Sequence, residues 1–292
     1  MTATAGGGTG RVPVARPVSI EEAVAALAEA PDAQLLAGGT DFCVEVSFGH
    51  RRPAGVVCLR RVRDLAGCRV DDDRVVIGAG TTYTQMIERL GGETPALAAA
   101  ARTVGSPQIR NAGTIGGNVA TASPAGDTLP FLAAVDAEVV LRSAAGERVL
   151  PLCRFITGVK RTDIRPGEMV AELRFARTRG PQQFLKVGTR NAMVIAIASV
   201  AVVVDAGSRT VRCGLGSVGP VPLRATAAEE MISGTVDWDR LSAPASAVEE
   251  FGRLAARAGA PITDHRGSAE YRRRAVEVAA ARGLRRCLSG GG

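Results

Sequence analysis

The stretch VGSPQIRNAGTIGGNVATASPAGDTLP, residues 104–130, most limits what this chain can fold into, because it is built from small residues, hydroxyls and one carboxylate with hardly any core-forming bulk. A segment that cannot furnish a core is expected to line a site. Glycines 113, 116 and 117 would let the backbone take positive φ and come close to a ligand, where a Cβ would stand off the approaching group. The amide N–H groups so exposed would form a concave nest for an anionic oxygen, with Thr114 and Asn118 adding side-chain hydrogen bonds. A phosphate or diphosphate fits that description.

Another loop of the same character, first in chain order, lies upstream. LLAGGTDF, residues 35–42, puts Gly38 and Gly39 after a short apolar run, with Thr40 and Asp41 directly behind. Either loop alone reads equally well as a tight turn leaving a strand. Together they suggest two walls gripping one extended ligand, and a dinucleotide has the length to need both.

At 292 residues the chain is expected to fold as two or three subdomains. A net charge of +7 and a pI near 9.6 raise nucleic acid as a partner. The cations are mostly arginines spread among acids, however, and aromatics at 3% leave few stacking platforms, so no nucleic-acid partner is expected. The cluster Arg272, Arg273, Arg274, continued by Arg282, Arg285 and Arg286, reads as a solvated helical face or as a docking surface for an acidic neighbour. Cysteines at 43, 58, 68, 153, 213 and 287 form no CxxC pair and have no histidine beside them, so no metal ligation is expected, and reduced thiols suit a cytoplasmic protein. MTATAGGGTGR, residues 1–11, lacks the apolar run of a signal peptide and reads as a disordered tail, and the longest apolar run, 193–204, is too short to span a bilayer. No membrane partner is expected.

The predicted organisation has three parts after that tail. Residues 12–66 form a small βαβ-like lobe: a capping box at Ser19 and Glu22 opens a short helix, and strands run over 34–37 and 56–59. Residues 67–179 form a larger α+β lobe, with a strand over 75–79, a helix capped by Thr81 or Thr82, an Ala-rich helix over 96–103, the site segment, a helix over 127–134 and a hairpin over 138–151. Arg179, Gly180 and Pro181 mark a boundary. Residues 180–288 then read as a three-stranded antiparallel sheet (184–188, 195–205, 210–218) followed by three helices, with loops that could cover one end of the ligand. The fold class is α+β.

With these loops in place, the chain resembles the FAD-binding (medium) subunit of molybdenum hydroxylases of the xanthine dehydrogenase and carbon monoxide dehydrogenase type. The motifs that carry the resemblance are AGGTD at 37–41, IGAGTTY at 77–83, PQIRNAGTIGGN at 107–118, ASPAGDTLP at 122–130, RPGEMV at 165–170, FLKVGTR at 184–190, GSVGPVPLRA at 216–225 and SAEYRRR at 268–274. The resemblance implies a two-lobed FAD-binding domain of the vanillyl-alcohol-oxidase-like kind, not a Rossmann fold, with the antiparallel-sheet domain near the flavin ring. It implies that Leu36, Ala37, Gly38, Gly39, Thr40 and Asp41, with Thr114, Ile115, Gly116, Gly117 and Asn118, hold the diphosphate and neighbouring sugar groups. Asp127 would bind the ribityl or ring-polar side, Val170 would pack against the flavin or its approach, and Lys186 would lie near the ring. It implies an electron relay: electrons arrive from Fe–S clusters in a 2Fe–2S small subunit, having left substrate at a molybdopterin large subunit, and pass from FAD to NAD+ or another acceptor. No catalytic side chain is assigned, since the flavin carries the chemistry. A stand-alone FAD-dependent oxidoreductase of the same fold is the alternative.

Overall fold

The computed structural model describes residues 12–289, so the expected disordered tail, 1–11, lies outside the described residues. The first part runs β1 (Val14–Ala15), α1 (Ile20–Glu29), β2 (Ala33–Leu36), α2 (Phe42–Ser47) and β3 (Gly55–Cys58), then two 3₁₀ turns at Leu59–Arg61 and Arg63–Leu65. Its three strands form a parallel sheet in the order β1-β3-β2. Parallel neighbours need a crossover, which α1 and α2 supply. The Ser19 hydroxyl caps α1 by accepting from Glu22 N, but the Glu22 carboxylate reaches back one residue further than a capping box requires, to Val18 N (2.8 Å).

The second part contains β4 (Cys68–Val70), β5 (Arg74–Gly78), α3 (Tyr83–Leu90), α4 (Pro95–Arg102), α5 (Pro107–Ala112), α6 (Ile115–Thr121), α7 (Leu129–Ala134), β6 (Glu138–Ser143), β7 (Gly146–Pro151), α8 (Leu152–Phe155), the small hairpin β8 (Ile156–Gly158) and β9 (Arg161–Thr162), and β10 (Met169–Ala176). A five-stranded sheet, β4-β5-β10-β6-β7, carries them. Its central strand, β10, is antiparallel to both neighbours, with a bulge between Val170 and Glu172. The segment expected to be one long loop holds two short helices instead. Ser106 caps α5 and Thr114 caps α6, each hydroxyl accepting from the amide three residues on. Thr82 caps α3 in a complete capping box with Gln85, while Thr81 is buried and bonds Gly67.

The third part is β11 (Gln182–Val187), β12 (Ala198–Asp205), β13 (Thr210–Gly216) and β14 (Leu223–Arg224), followed by α9 (Thr226–Ser233), α10 (Ala245–Ala258) and α11 (Ala269–Leu288). The three expected strands are joined by a fourth, the two-residue edge strand β14, to give an antiparallel sheet in chain order. Seven consecutive residues of β12 are buried, because the sheet is covered on both faces. Ala201 and Val203 belong to the core of the second part with Phe131 and Leu132 of α7, whereas Val200, Val202 and Val204 belong to a separate core with Phe251 of α10 and Val276, Ala280 and Leu284 of α11. Gly214 makes this close fit possible, since a Cβ there would collide with the Pro130 carbonyl oxygen in α7. Among the described residues, no helix is long and apolar enough to cross a membrane.

Gly214→Ala is accordingly expected to destabilise the protein by about 3 kcal/mol, since backbone meets backbone and neither can rotate away. Urea unfolding of the two proteins measures it, and a difference under about 0.5 kcal/mol would mean that β13 does not seat on α7 as described.

Candidate functional site

A cleft of about 690 Å³ opens between the first and second parts. Its size is within the range of small-molecule and cofactor sites. Ala37, Gly38, Gly39, Thr40 and Asp41 form one wall, and Thr114, Gly116, Gly117, Asn118, Asp127 and Val170 line the other. Eleven of the fourteen expected residues therefore meet in one place. Three do not. Leu36 ends β2 outside the lining, and Ile115 points into the core with no exposure at all. Lys186 stands behind the wall and reaches the cleft only through Asp127. No lining residue comes from beyond Val170, so the antiparallel sheet covers no end of the cleft.

The two glycine loops do different work. Backbone N–H groups at Gly38, Gly39, Thr40 and Asp41 find no acceptor among the described residues, so this first loop is the open row of donors. Gly39 takes φ +76°, which glycine adopts without a Cβ penalty. The second loop departs from the nest expected of it. Ile115 N–H donates to Thr81 O (3.0 Å), Gly116 N–H to Ala79 O (2.9 Å) and Asn118 N–H to Thr114 O (3.0 Å), and Gly117 N–H donates to the capping Thr114 hydroxyl (3.1 Å). None of Gly113, Gly116 or Gly117 has positive φ. Their use is close approach: a Cβ on Gly116 would lie 2.5 Å from the Ala79 Cβ and one on Gly113 2.8 Å from the Tyr83 ring. A Cβ on Gly117 would meet nothing within 4 Å but Thr114 Oγ1, at 3.0 Å, so its open face belongs to the cleft.

Asp127 is the chemically distinctive group. It is 7% exposed, its Oδ2 accepts from Lys186 Nζ at 2.6 Å, and its Oδ1 is buried without a partner. Lys186 Nζ also donates to Thr103 O at 3.2 Å. Burial raises the Asp127 carboxyl above its ordinary range against the pull of Lys186. A nearly buried acceptor with an empty valence, in the wall of a cleft, is set to receive an N–H or O–H from a ligand.

Several lining residues fell outside the expected set. Tyr83 lines the cleft with 5% exposure, and burial, reinforced by Asp127 and Asp41, holds its phenol above the usual range. It is the last residue of IGAGTTY, and a tyrosine directly after a helix cap is the signal that could have marked it. At the mouth, Lys160 from the β8–β9 turn bonds Glu45 of α2 (2.7 Å), and Thr121 donates to Asp41 (3.4 Å), so two polar bonds cross between the walls. Lys160 holds the Glu45 carboxyl below its usual range. Arg60 and Arg63, from the two 3₁₀ turns after β3, also line the cleft.

Free loop amides, glycine-seamed walls and an unfilled carboxylate, carried on an α+β frame without a Rossmann sheet, define a non-Rossmann dinucleotide-binding protein. Residues 9–176 match the family described as the FAD binding domain in molybdopterin dehydrogenase, and residues 183–287 match the CO dehydrogenase flavoprotein C-terminal domain. The chain is 33% identical to the carbon monoxide dehydrogenase medium chain of Afipia carboxidovorans, over 91% of this chain and 96% of that one. It is 34% identical to the nicotinate dehydrogenase FAD-subunit of Eubacterium barkeri, over 75% and 78% respectively. Its fold superposes on a chain of reconstituted CO dehydrogenase from Oligotropha carboxidovorans with a TM-score of 0.88 at 31% identity, covering 96% of this chain and 98% of that one. The chain belongs to the FAD-binding flavoprotein family of the molybdenum hydroxylases; FAD is its cofactor and its chemistry is oxidation and reduction.

The Asp127–Lys186 pair yields a pH-dependent expectation. Because the folded carboxyl is raised, its contribution to stability is complete below the unfolded value of about 3.9 and is lost as pH rises through the folded value. Removing the ammonium deepens that loss. Lys186→Met is expected to cost about 3–5 kcal/mol near neutral pH, with the gap to the parent narrowing as acid protonates Asp127. Urea titrations at neutral and acidic pH test this; a gap independent of pH would assign the cost to packing alone.

Proposed function

We propose that this chain is the cytoplasmic, FAD-binding electron-transfer subunit of a molybdenum hydroxylase, taking electrons from Fe–S clusters on a 2Fe–2S small subunit that is reduced in turn by a molybdopterin large subunit. NAD+ or another acceptor would reoxidise it. The observation that carries this reading is the meeting, in one cleft, of the unbonded amides at 38–41 with the partnerless Asp127 Oδ1. All six cysteines are free, which suits a reducing compartment.

The residues fit FAD. The amide row at 38–41 offers donors to a diphosphate, Gly38 lets that row seat against Ala112, and Gly117 puts no side chain into the cleft. Asp127 Oδ1 accepts from a ribityl hydroxyl or a ring N–H, while Lys186 balances the carboxylate's charge so that it stays an acceptor. Val170 offers an apolar surface on the same wall, and Thr114 and Asn118 complete the polar lining. Bound FAD accepts electrons singly or in pairs, and the redox chemistry is its own. The chain's task is to hold it, exclude bulk water and present its edge to donor and acceptor.

Purified full-length protein is expected to be yellow, with the absorption of oxidised flavin. Gly117→Val is expected to weaken FAD retention about tenfold or more, because its branches enter the cleft, while the far-ultraviolet dichroism stays that of the parent. A variant that remains fully yellow would remove the second glycine loop from the FAD site.

A further inference from the structure

Although the antiparallel sheet forms no wall of the cleft, it carries Lys186, and a buried guanidinium bonds the backbone beside the ends of two of its strands. Arg272, in the first turn of α11, is 3% exposed. Its Nη1 donates to Ile197 O (2.7 Å) and to Ser217 O (3.0 Å), and its Nη2 donates to Asp264 Oδ1 (2.6 Å). Only Nε lacks a partner.

The two carbonyls lie on separate routes to one ion pair. Ile197 directly precedes β12; its N–H donates to Val187 O (2.8 Å), and the ladder that starts there sets Lys186 opposite Ser199. Ser217 directly follows β13; its N–H donates to Pro124 O (2.9 Å), within the segment that ends at Asp127. Ser217 also has φ +63°, a left-handed conformation that a serine keeps only where its neighbours over-determine it. Here the bonds on its N–H and its carbonyl do so. From one guanidinium, then, one hydrogen-bonded route runs through Ile197 to Val187, the chain neighbour of Lys186, and another through Ser217 to Pro124, three residues before Asp127.

We propose that Arg272 is the positioning residue for the Asp127–Lys186 pair: by clamping the Ile197 and Ser217 carbonyls it fixes where the free Asp127 oxygen meets the cleft, and thereby the affinity and spectral environment of FAD. The proposal rests on the reading that FAD occupies this cleft. Arginine suits the task because its planar fork presents several donors in fixed directions; lysine keeps the charge and loses the fork.

The test is a double-mutant cycle in the full-length protein. FAD is titrated into the apo forms of the parent, Arg272→Lys, Asp127→Asn and the double variant, following flavin fluorescence and visible circular dichroism, with apo thermal midpoints measured alongside. Arg272→Lys is expected to weaken FAD binding about tenfold, as for loss of one charge-assisted hydrogen bond, and to change the dichroism of bound flavin. In the Asp127→Asn background the same change is expected to cost less than about twofold, because the group it acts through is gone. Asp264→Asn, which removes only the anion that anchors the guanidinium, is expected to give the same signature on a smaller scale and carries the test should Arg272→Lys fail to fold. The proposal is overturned if these variants lower the thermal midpoint while FAD affinity and flavin dichroism stay at parent values, or if the losses multiply in the double variant. A parent that binds no FAD would sink the functional reading itself, whereas FAD binding weakened by Asp127→Asn and indifferent to Arg272 would sink this proposal alone.

Discussion

A carboxylate and an ammonium, each exposed by less than a tenth, meet at 2.6 Å where the cleft, α7 and the antiparallel sheet converge. Taking two such charges out of water costs more than their attraction returns unless their remaining hydrogen-bonding capacity is filled. Lys186 is better filled than Asp127: it also donates to Thr103 O, whereas Asp127 Oδ1 is left empty. The pair is thus incomplete on one side only, that of Asp127, a residue that lines the cleft. Stability alone gives no reason to leave a buried oxygen unsatisfied, and a ligand donor supplies one. The same pair ties the site to the distant sheet, since α7, which begins two residues after Asp127, is the helix on which β13 seats through Gly214.

Glycine is used here mainly as a seam. A Cβ at Gly38 would collide with the Ala112 carbonyl oxygen, so the first loop rests on the end of α5, beside the second loop. Gly78 and Gly80 lie in the same way against Leu65, and Gly116 against Ala79. These absences bring the two parts close enough for one ligand to touch both. Among the glycines of residues 35–42 and 104–130, Gly39 (φ +76°) and Gly105 (φ +44°) alone take the left-handed conformation.

The sequence showed which residues gather, and less of what their backbones do. GG after an apolar strand and TIGGN in a segment without bulk marked both walls correctly, because close approach and ligand contact both demand small residues. Composition could not tell a free amide from a bonded one: the amides at 115–118 are consumed by the turn at 79–81 and by the Thr114 cap, and those acceptors are far from them in sequence or hidden in a side-chain rotamer. Strand β10 has no local pattern that marks it as central: only its two long-range partners, β5 and β6, make these eight residues the middle of a sheet. The edge strand β14, at two residues, carries no period at all. The resemblance implies that Lys186 lies near the ring; its contact with Asp127, behind the cleft wall, is one that no local pattern encodes.

Charge gives the cleft a direction. Arg51, Arg60, Arg63 and Lys160 line it together with Glu45, which pairs with both Arg51 (2.9 Å) and Lys160 (2.7 Å). Asp41 lines it too, so four cations face two carboxylates apart from Asp127; the surplus is positive, and its arginines belong to the first part, which also holds the free amides of the first loop. Asp127 belongs to another stretch of wall, where Lys186 balances its charge and its second oxygen is left to accept from a donor. An elongated dinucleotide meets opposite demands at its two features: the diphosphate is drawn to the amides and arginines, and the hydroxyl- and N–H-bearing portion to the carboxylate. Reversing it would set the diphosphate, which has no donor to offer, against Asp127 and leave Oδ1 unfilled. Specificity for one orientation therefore follows from a polar group left unpaired in the wrong orientation as much as from an attraction in the right one, and that group is the oxygen that the buried ion pair leaves open.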